Sequence, residues 1–156
     1  EGHTGEKRNT EENFDYKSLK SKFKNFDLKC PSIKHRLNAI SKLVAAGFMI
    51  GLHFDPIIYE DDFVKNYEAI IDRLKDVLPD QQLAYISIGV VRFTKDVYAQ
   101  MLTNYPESVL SNEVFTKSFD GKMRYNHPMR KWILNKVREK LLPYYRSEKI
   151  YFCMED

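Results

Sequence analysis

The sequence predicts an α/β fold in which parallel strands alternate with helices. Two observations carry this expectation. Three short apolar runs, at 48–54, 83–91 and 150–154, have the length and near-continuous hydrophobicity of strands buried in a parallel sheet. Segments with apolar residues at helical spacing precede each run, so the order helix–strand repeats and calls for crossover connections within one sheet.

The first ordered segment opens at Pro31-Ser32, where Ser32 is an N-cap residue type. Ile33, Leu37, Ile40, Leu43 and Val44 then recur at helical spacing, and Gly47 supplies the left-handed residue that often follows a helix. The run Phe48–Phe54 follows, and Asp55-Pro56 is expected to end it, since proline cannot donate to a ladder. Asp61 and Asp62 open a second helix carrying Phe63, Tyr67, Ile70, Ile71 and Leu74, stopped before Pro79. After the second run, Thr94 caps a helix with Val97, Met101 and Leu102 that ends by Pro106. Residues 105–127 read as a long loop, a feature that is uncommon unless functional. Pro128 sits in the first turn of a last helix bearing Trp132, Ile133, Val137 and Leu141, and the third run closes the order.

Ahead of this region the chain changes character. Residues 1–13 contain no Leu, Ile, Val, Phe or Trp and read as a disordered polar arm. Residues 14–30 form a lysine- and aromatic-rich lead-in, and 31–156 form the α/β segment. The 156 residues are 43% hydrophobic and 30% charged, which suits one globular domain with a core of its own. Net charge is +3, a weak lean toward an anionic partner. Basic residues cluster at Lys17–Lys29 and again from Lys122 to Lys140. Cys30 and Cys153 stand far apart without CxxC spacing, so a disulfide scaffold is not expected and a reducing, cytoplasmic setting is. No stretch approaches the length of a membrane span.

In parallel α/β folds the ligand sits beyond the carboxyl ends of the strands. The first run ends in His53-Phe54-Asp55, the second runs into Arg92, and the third into Glu155, bringing a His, two carboxylates and an Arg toward one rim. Each has a plainer reading: a hydrogen-bonded structural His53, a turn-capping Asp55, an Arg92–Glu155 ion pair. The 105–127 segment adds Lys122, Arg124 and Tyr125 after the turn dipeptide Asp120-Gly121. Two cations and an aromatic ring suit phosphate plus base, or a cofactor carboxylate; they equally suit a solvated turn docked by its ring. The motifs GxGxxG, Walker A, GxSxG and HExxH do not occur. Cys153, inside an apolar run, reads as a small core residue.

Four segments in order, RLNAISKLVAAGFMIGLHFDPIIYEDDF from Arg36, then AYISIGVVRFTK, DGKMRY and IYFCMED, resemble the later part of spore photoproduct lyase-like radical SAM proteins. The resemblance covers about residues 31–156. It implies the C-terminal part of a (β/α) partial TIM barrel of radical SAM type, with three strands present. It also implies a radical-initiated lyase, with DNA repair as its setting. Such enzymes bind a [4Fe–4S] cluster through CxxxCxxC and cleave S-adenosylmethionine to start radical chemistry. This sequence contains no CxxxCxxC. The expectation is therefore a chain not competent alone, which binds neither group stably by itself and whose partner is the missing N-terminal half of the barrel. DNA or another nucleotide-containing molecule is the expected substrate, met at a rim formed by His53, Asp55, Arg92, Lys122, Arg124, Tyr125 and Glu155. The alternative is a non-catalytic nucleic-acid-binding or interaction domain derived from such a barrel.

Overall fold

Ser32 starts the first helix as its residue type suggests. Its hydroxyl accepts a hydrogen bond from the His35 N–H at 3.3 Å, satisfying one of the donors that a helix N-terminus leaves free. In the computed structural model, residues 30–155 apart from 112 and 114 are described. The polar arm and all of the lead-in except Cys30 lie outside the described residues. The first helix, α1 (Ile33–Ala45), ends at Gly47, whose φ of 84° is the left-handed conformation that glycine adopts without strain. Strand β1 (Ile50–Ile57) follows, then α2 (Phe63–Val77) and β2 (Leu83–Val90). After the two-residue strand β3 (Arg92–Phe93), Thr94 caps α3 (Lys95–Asn104) by accepting from the Val97 N–H at 3.4 Å.

The segment expected to be a long loop is instead partly a hairpin. Strands β4 (Phe115–Lys117) and β5 (Met123–Tyr125) pair antiparallel, and β3 joins the other side of β5 to make a small sheet in the order β3-β5-β4. Gly121, at φ 77°, makes the turn that Asp120-Gly121 signals. Strands of three residues span one and a half periods of alternation, too little to stand out in a sequence. Asn126 then caps α4 (His127–Leu141) by accepting from the Met129 N–H at 3.0 Å, with Pro128 in the first turn. The chain closes on β6 (Ile150–Phe152).

Strands β1, β2 and β6 form a parallel sheet in that order, as the alternation of elements requires. Strand β1 does not end at Asp55-Pro56. It runs to Ile57 through a register shift between Phe54 and Ile57, and proline is tolerated at such an irregularity on an edge strand. The third strand is also shorter than the apolar run: it ends at Phe152, and Met154 turns the chain with φ 55°.

The two faces of this sheet are unlike. Leu52, Ile86 and Ile150 share one rung, Phe54, Ile88 and Phe152 another, and these residues pack with α1, α2 and α4. Ile86, Ile88, Ile133 and Leu141 are fully buried there. Each such side chain contributes about 1.5–3 kcal/mol through its removal from water, so the stabilising layer is the helix side. The opposite face carries Gly51, His53 and Asp55 from β1, Tyr85, Ser87 and Gly89 from β2, and Tyr151 from β6. Gly51, His53, Tyr85 and Tyr151 are exposed. A parallel sheet is ordinarily covered on both faces, so this face marks where something else belongs.

Candidate functional site on the open face of the parallel sheet

Alternation along the strands brings the polar residues together. His53, Ser87 and Tyr151 pair in register across β1, β2 and β6, so their side chains stand in one row. His53 Nε2 lies 3.1 Å from the Tyr85 hydroxyl, within hydrogen-bonding reach, and the two rings meet edge to face at 5.5 Å. Tyr85 and Tyr151 are 5.9 Å apart, ring centre to ring centre. The sheet has cut-outs that seat two of these groups. A β-carbon on Gly51 would lie 2.6 Å from the Tyr85 ring, and one on Gly89 would lie 2.7 Å from the Asp55 carboxyl. Tyr85 of β2 thus lies across β1, while Asp55 of β1 lies across β2.

Above this row, Arg92 receives Asp55. Its two terminal nitrogens donate to the two carboxylate oxygens at 3.3 Å each, and Nη1 also donates to the Val90 carbonyl at 3.3 Å. Nη2 stands 4.0 Å from the Cys153 thiol. Cys153 is therefore not the core residue its apolar surroundings suggest: it follows β6, is partly exposed, and faces the guanidinium. The Ser87 side chain is 1% exposed, and its hydroxyl meets no hydrogen-bonding partner among the described residues.

The second group of expected site residues forms a buried ionic clasp. Arg124 is 1% exposed; it donates to the Met154 carbonyl at 3.0 Å, pairs with Glu155 at 3.5 Å, and pairs closely with Asp120. Arg130 donates to Glu155 at 2.9 Å and to the Tyr125 carbonyl at 3.1 Å. The supposed Arg92–Glu155 pair is thus replaced by Arg92–Asp55 and by Glu155 with Arg124 and Arg130. Lys122 lies 3.9 Å from Asp120 and is partly exposed. Arg124 is not the solvated loop cation expected beside Lys122, because β5 turns it inward beneath the C-terminal residues.

Tyr125 is likewise a core residue, fully buried against Phe115 with ring centres 4.7 Å apart. Its hydroxyl accepts from the Tyr59 N–H at 3.0 Å. Burial, opposed by the backbone hydrogen bond from Tyr59 and helped by the charge of Glu113, leaves the phenol pushed up to about 12.

Of the expected residues, His53, Asp55 and Arg92 meet on the open face, while Arg124, Tyr125 and Glu155 meet in the clasp. Sequence reasoning missed Tyr85, Ser87, Gly89 and Tyr151 and misplaced Cys153. The signal was present in the alternation Tyr85-Ser87-Gly89 against Ile86-Ile88, which interrupts a run otherwise read as apolar on both faces. Among the described residues, no group of three His, Cys, Asp or Glu side chains is placed to hold a metal ion. None of their helices is long and apolar enough to cross a membrane.

Fold and site together describe an α/β barrel segment with one solvated polar face. The family model for spore photoproduct lyase matches residues 5–152, and the chain belongs to that family, within the radical SAM superfamily. The match begins well before residue 31. Solved structures agree on the fold. A doubly substituted spore photoproduct lyase with bound AdoMet and dinucleoside spore photoproduct aligns with a TM-score of 0.62 at 20% identity, covering 80% of this chain and 38% of that one. A spore photoproduct lyase complexed with dinucleoside spore photoproduct aligns at 0.61 and 21% identity, covering 80% and 39%. The chain thus corresponds to the C-terminal part of a radical SAM barrel and spans about two fifths of the lyases it matches. None of the curated proteins compared matches it.

Proposed function

We propose that this chain is the late-strand wall of a radical SAM barrel, with the open sheet face turned toward the nucleoside part of the cofactor and a nucleotide-containing substrate. The observation that carries the reading is the polar row of His53, Ser87 and Tyr151, with Tyr85 beside it, on a sheet face that the described helices leave uncovered. The family supports it, as does the binding of AdoMet and dinucleoside spore photoproduct by lyases of the same fold.

The chain's own thiols do not fit a [4Fe–4S] cluster, which takes three cysteines in this superfamily; this sequence has two, Cys30 and Cys153. The cluster-binding CxxxCxxC is supplied from outside these residues, and the chain alone is not a competent lyase. The open face does fit a nucleoside. Two phenols and an imidazole offer stacking surface and hydrogen bonds to uncharged groups. AdoMet, where bound, supplies the radical that initiates the lyase reaction. The residues of this chain orient: Tyr85 and Tyr151 present ring faces, His53 fixes the Tyr85 hydroxyl, and Asp55 holds Arg92 at the end of the sheet. DNA repair and a cytoplasmic setting are the context this reading implies.

Anaerobic reconstitution of the chain with iron, sulfide and AdoMet is the direct test. The expected result is no [4Fe–4S] absorption and no AdoMet cleavage by the chain alone, with both appearing when a family N-terminal portion bearing CxxxCxxC is co-purified with it. A stoichiometric cluster with AdoMet turnover in the isolated chain overturns the reading. The rival, a non-catalytic nucleic-acid-binding domain, draws on two basic clusters. Lys17–Lys29 lies outside the described residues, and Arg124 and Arg130 of the late cluster are buried in ion pairs. No specific observation now favours it over the barrel wall.

A further inference from the structure

Ser87 poses a physical problem that the fold does not answer. It stands in the central strand of the parallel sheet, where its neighbours on the helix side, Ile86 and Ile88, are fully buried. Its own side chain is buried too, with an oxygen that reaches neither solvent nor a partner among the described residues. A buried hydroxyl without a partner lowers stability, and alanine would fill the same position without that loss. Groups of this kind in native proteins call for an explanation.

The surroundings of Ser87 point to a ligand. Its rung is completed by His53 on one side and Tyr151 on the other, so its cover on the open face is polar and aromatic. One rung toward the start of the strand, Tyr85 is seated over Gly51. One rung toward the end, Asp55 is seated over Gly89. Both glycine cut-outs draw the large side chains flat against the sheet on either side of the Ser87 rung. Tyr151, paired with Ser87 on this rung, is 48% exposed, and an outward swing of its ring is the movement by which a ligand would reach the hydroxyl. The cation of this face, Arg92, is already met by both oxygens of Asp55.

We infer that Ser87 is a specificity-determining binding residue whose hydroxyl completes its hydrogen bonds only with an uncharged polar group of a ligand, such as a sugar hydroxyl or the imide or amide edge of a base. Charge plays little part at this rung, because Asp55 balances Arg92 beside it. The inference rests on the reading of the open face as a ligand wall and adds the chemistry that the wall selects.

Ser87→Ala separates this role from a structural one by the sign of its effect on stability. Without ligand, the variant is expected to melt about 2–4 °C higher than the parent chain, since it loses a buried hydroxyl that has no partner among the described residues. NMR titration with adenosine and with thymidine, both uncharged, is expected to shift the amides of His53, Ser87 and Tyr151 in the parent chain. Affinity should fall about fivefold in Ser87→Ala, the loss of one neutral hydrogen bond. Ser87→Cys, similar in size with a weaker hydrogen-bonding group, should fall between the two. A lower melting temperature for Ser87→Ala overturns the inference, because the hydroxyl then has a structural partner. Unchanged nucleoside affinity overturns it as well, as does the absence of any shift on the open face in the parent chain. The barrel-wall reading falls on a different result, cluster assembly and AdoMet cleavage by the isolated chain.

Discussion

Gly89 and Gly51 hold equivalent places on neighbouring strands, yet substituting them should have unequal consequences. A β-carbon at Gly89 meets the Asp55 carboxyl at 2.7 Å, and that carboxyl is held by both terminal nitrogens of Arg92. Asp55 cannot withdraw without giving up the pair. A β-carbon at Gly51 meets the outer end of the Tyr85 ring at 2.6 Å, and Tyr85 is 37% exposed, so the ring can swing into solvent. Gly89→Ala is therefore expected to cost about 1–3 kcal/mol as overpacking, and Gly51→Ala under about 1 kcal/mol. Urea unfolding midpoints of the two variants check the order. Equal midpoints would show that the Asp55–Arg92 pair gives way as easily as the more exposed Tyr85 ring with its hydroxyl contact to His53 Nε2.

The β4–β5 hairpin is held to the end of the chain by charge rather than by length of ladder. Strands of three residues offer few hydrogen bonds, and the clasp of Arg124 and Arg130 on Glu155, with Asp120 on Arg124, supplies the rest. Removing Arg124 takes a buried cation away from both Asp120 and Glu155, leaving them only Lys122 and Arg130, and breaking a buried ionic contact of this kind costs about 3–5 kcal/mol. Arg124→Ala should fall in that range by chemical denaturation, while Lys122→Ala, at the partly exposed turn, should stay within about 0.5 kcal/mol. Similar losses for both would mean that the clasp is not buried in solution.

The same element predicts a response to acid. Desolvation works to raise the Asp120 carboxyl, but the Lys122 N–H and the charges of Arg124 and Lys122 outweigh it and hold the carboxyl below its ordinary value. Asp80 behaves alike at the far end of the sheet, where desolvation is outweighed by hydrogen bonds from the Arg146 backbone and side chain and from Lys149. A carboxyl depressed in the folded state stabilises it above the unfolded carboxyl's value of about 4, and that stability is lost as pH falls through the folded value. Protection of the amides around 115–125 and 146–149 against exchange, relative to the chemical rate at each pH, should therefore fall below about pH 4. Exchange rates at these two places that follow only the chemical pH dependence, from neutrality into acid, would deny both clasps.

At the scale of the molecule, the described residues cover the parallel sheet on one side only. Among the described residues β1 pairs with β2 alone, which leaves its other edge free over eight residues, and Phe48 and Met49 beside it are each 58% exposed. An open apolar edge of this kind recruits another strand. The isolated chain is expected to self-associate as its concentration rises, and sedimentation over a range of concentrations checks this. A clean monomer at every concentration would show that the sheet is self-sufficient and would weaken the case for a partner half.

Much of the fold was legible because the signals are local. Ser32, Thr94, Gly47 and Pro128 act on their own turn of chain, and each does in the structure what its residue type implies. Three apolar runs joined through helices imply a parallel sheet whatever surrounds them. The four ordered segments that resemble spore photoproduct lyase were legible too, since they are contiguous stretches. What only the tertiary structure decided is which charged and polar groups meet. Arg92 takes Asp55 rather than Glu155, Arg124 turns inward, Tyr125 joins the core, and Ser87 finds no partner among the described residues. Those outcomes depend on register between strands tens of residues apart and on which face a short hairpin turns to the sheet. A shift of one residue in register would exchange the two faces, and no local pattern in the chain reports that shift.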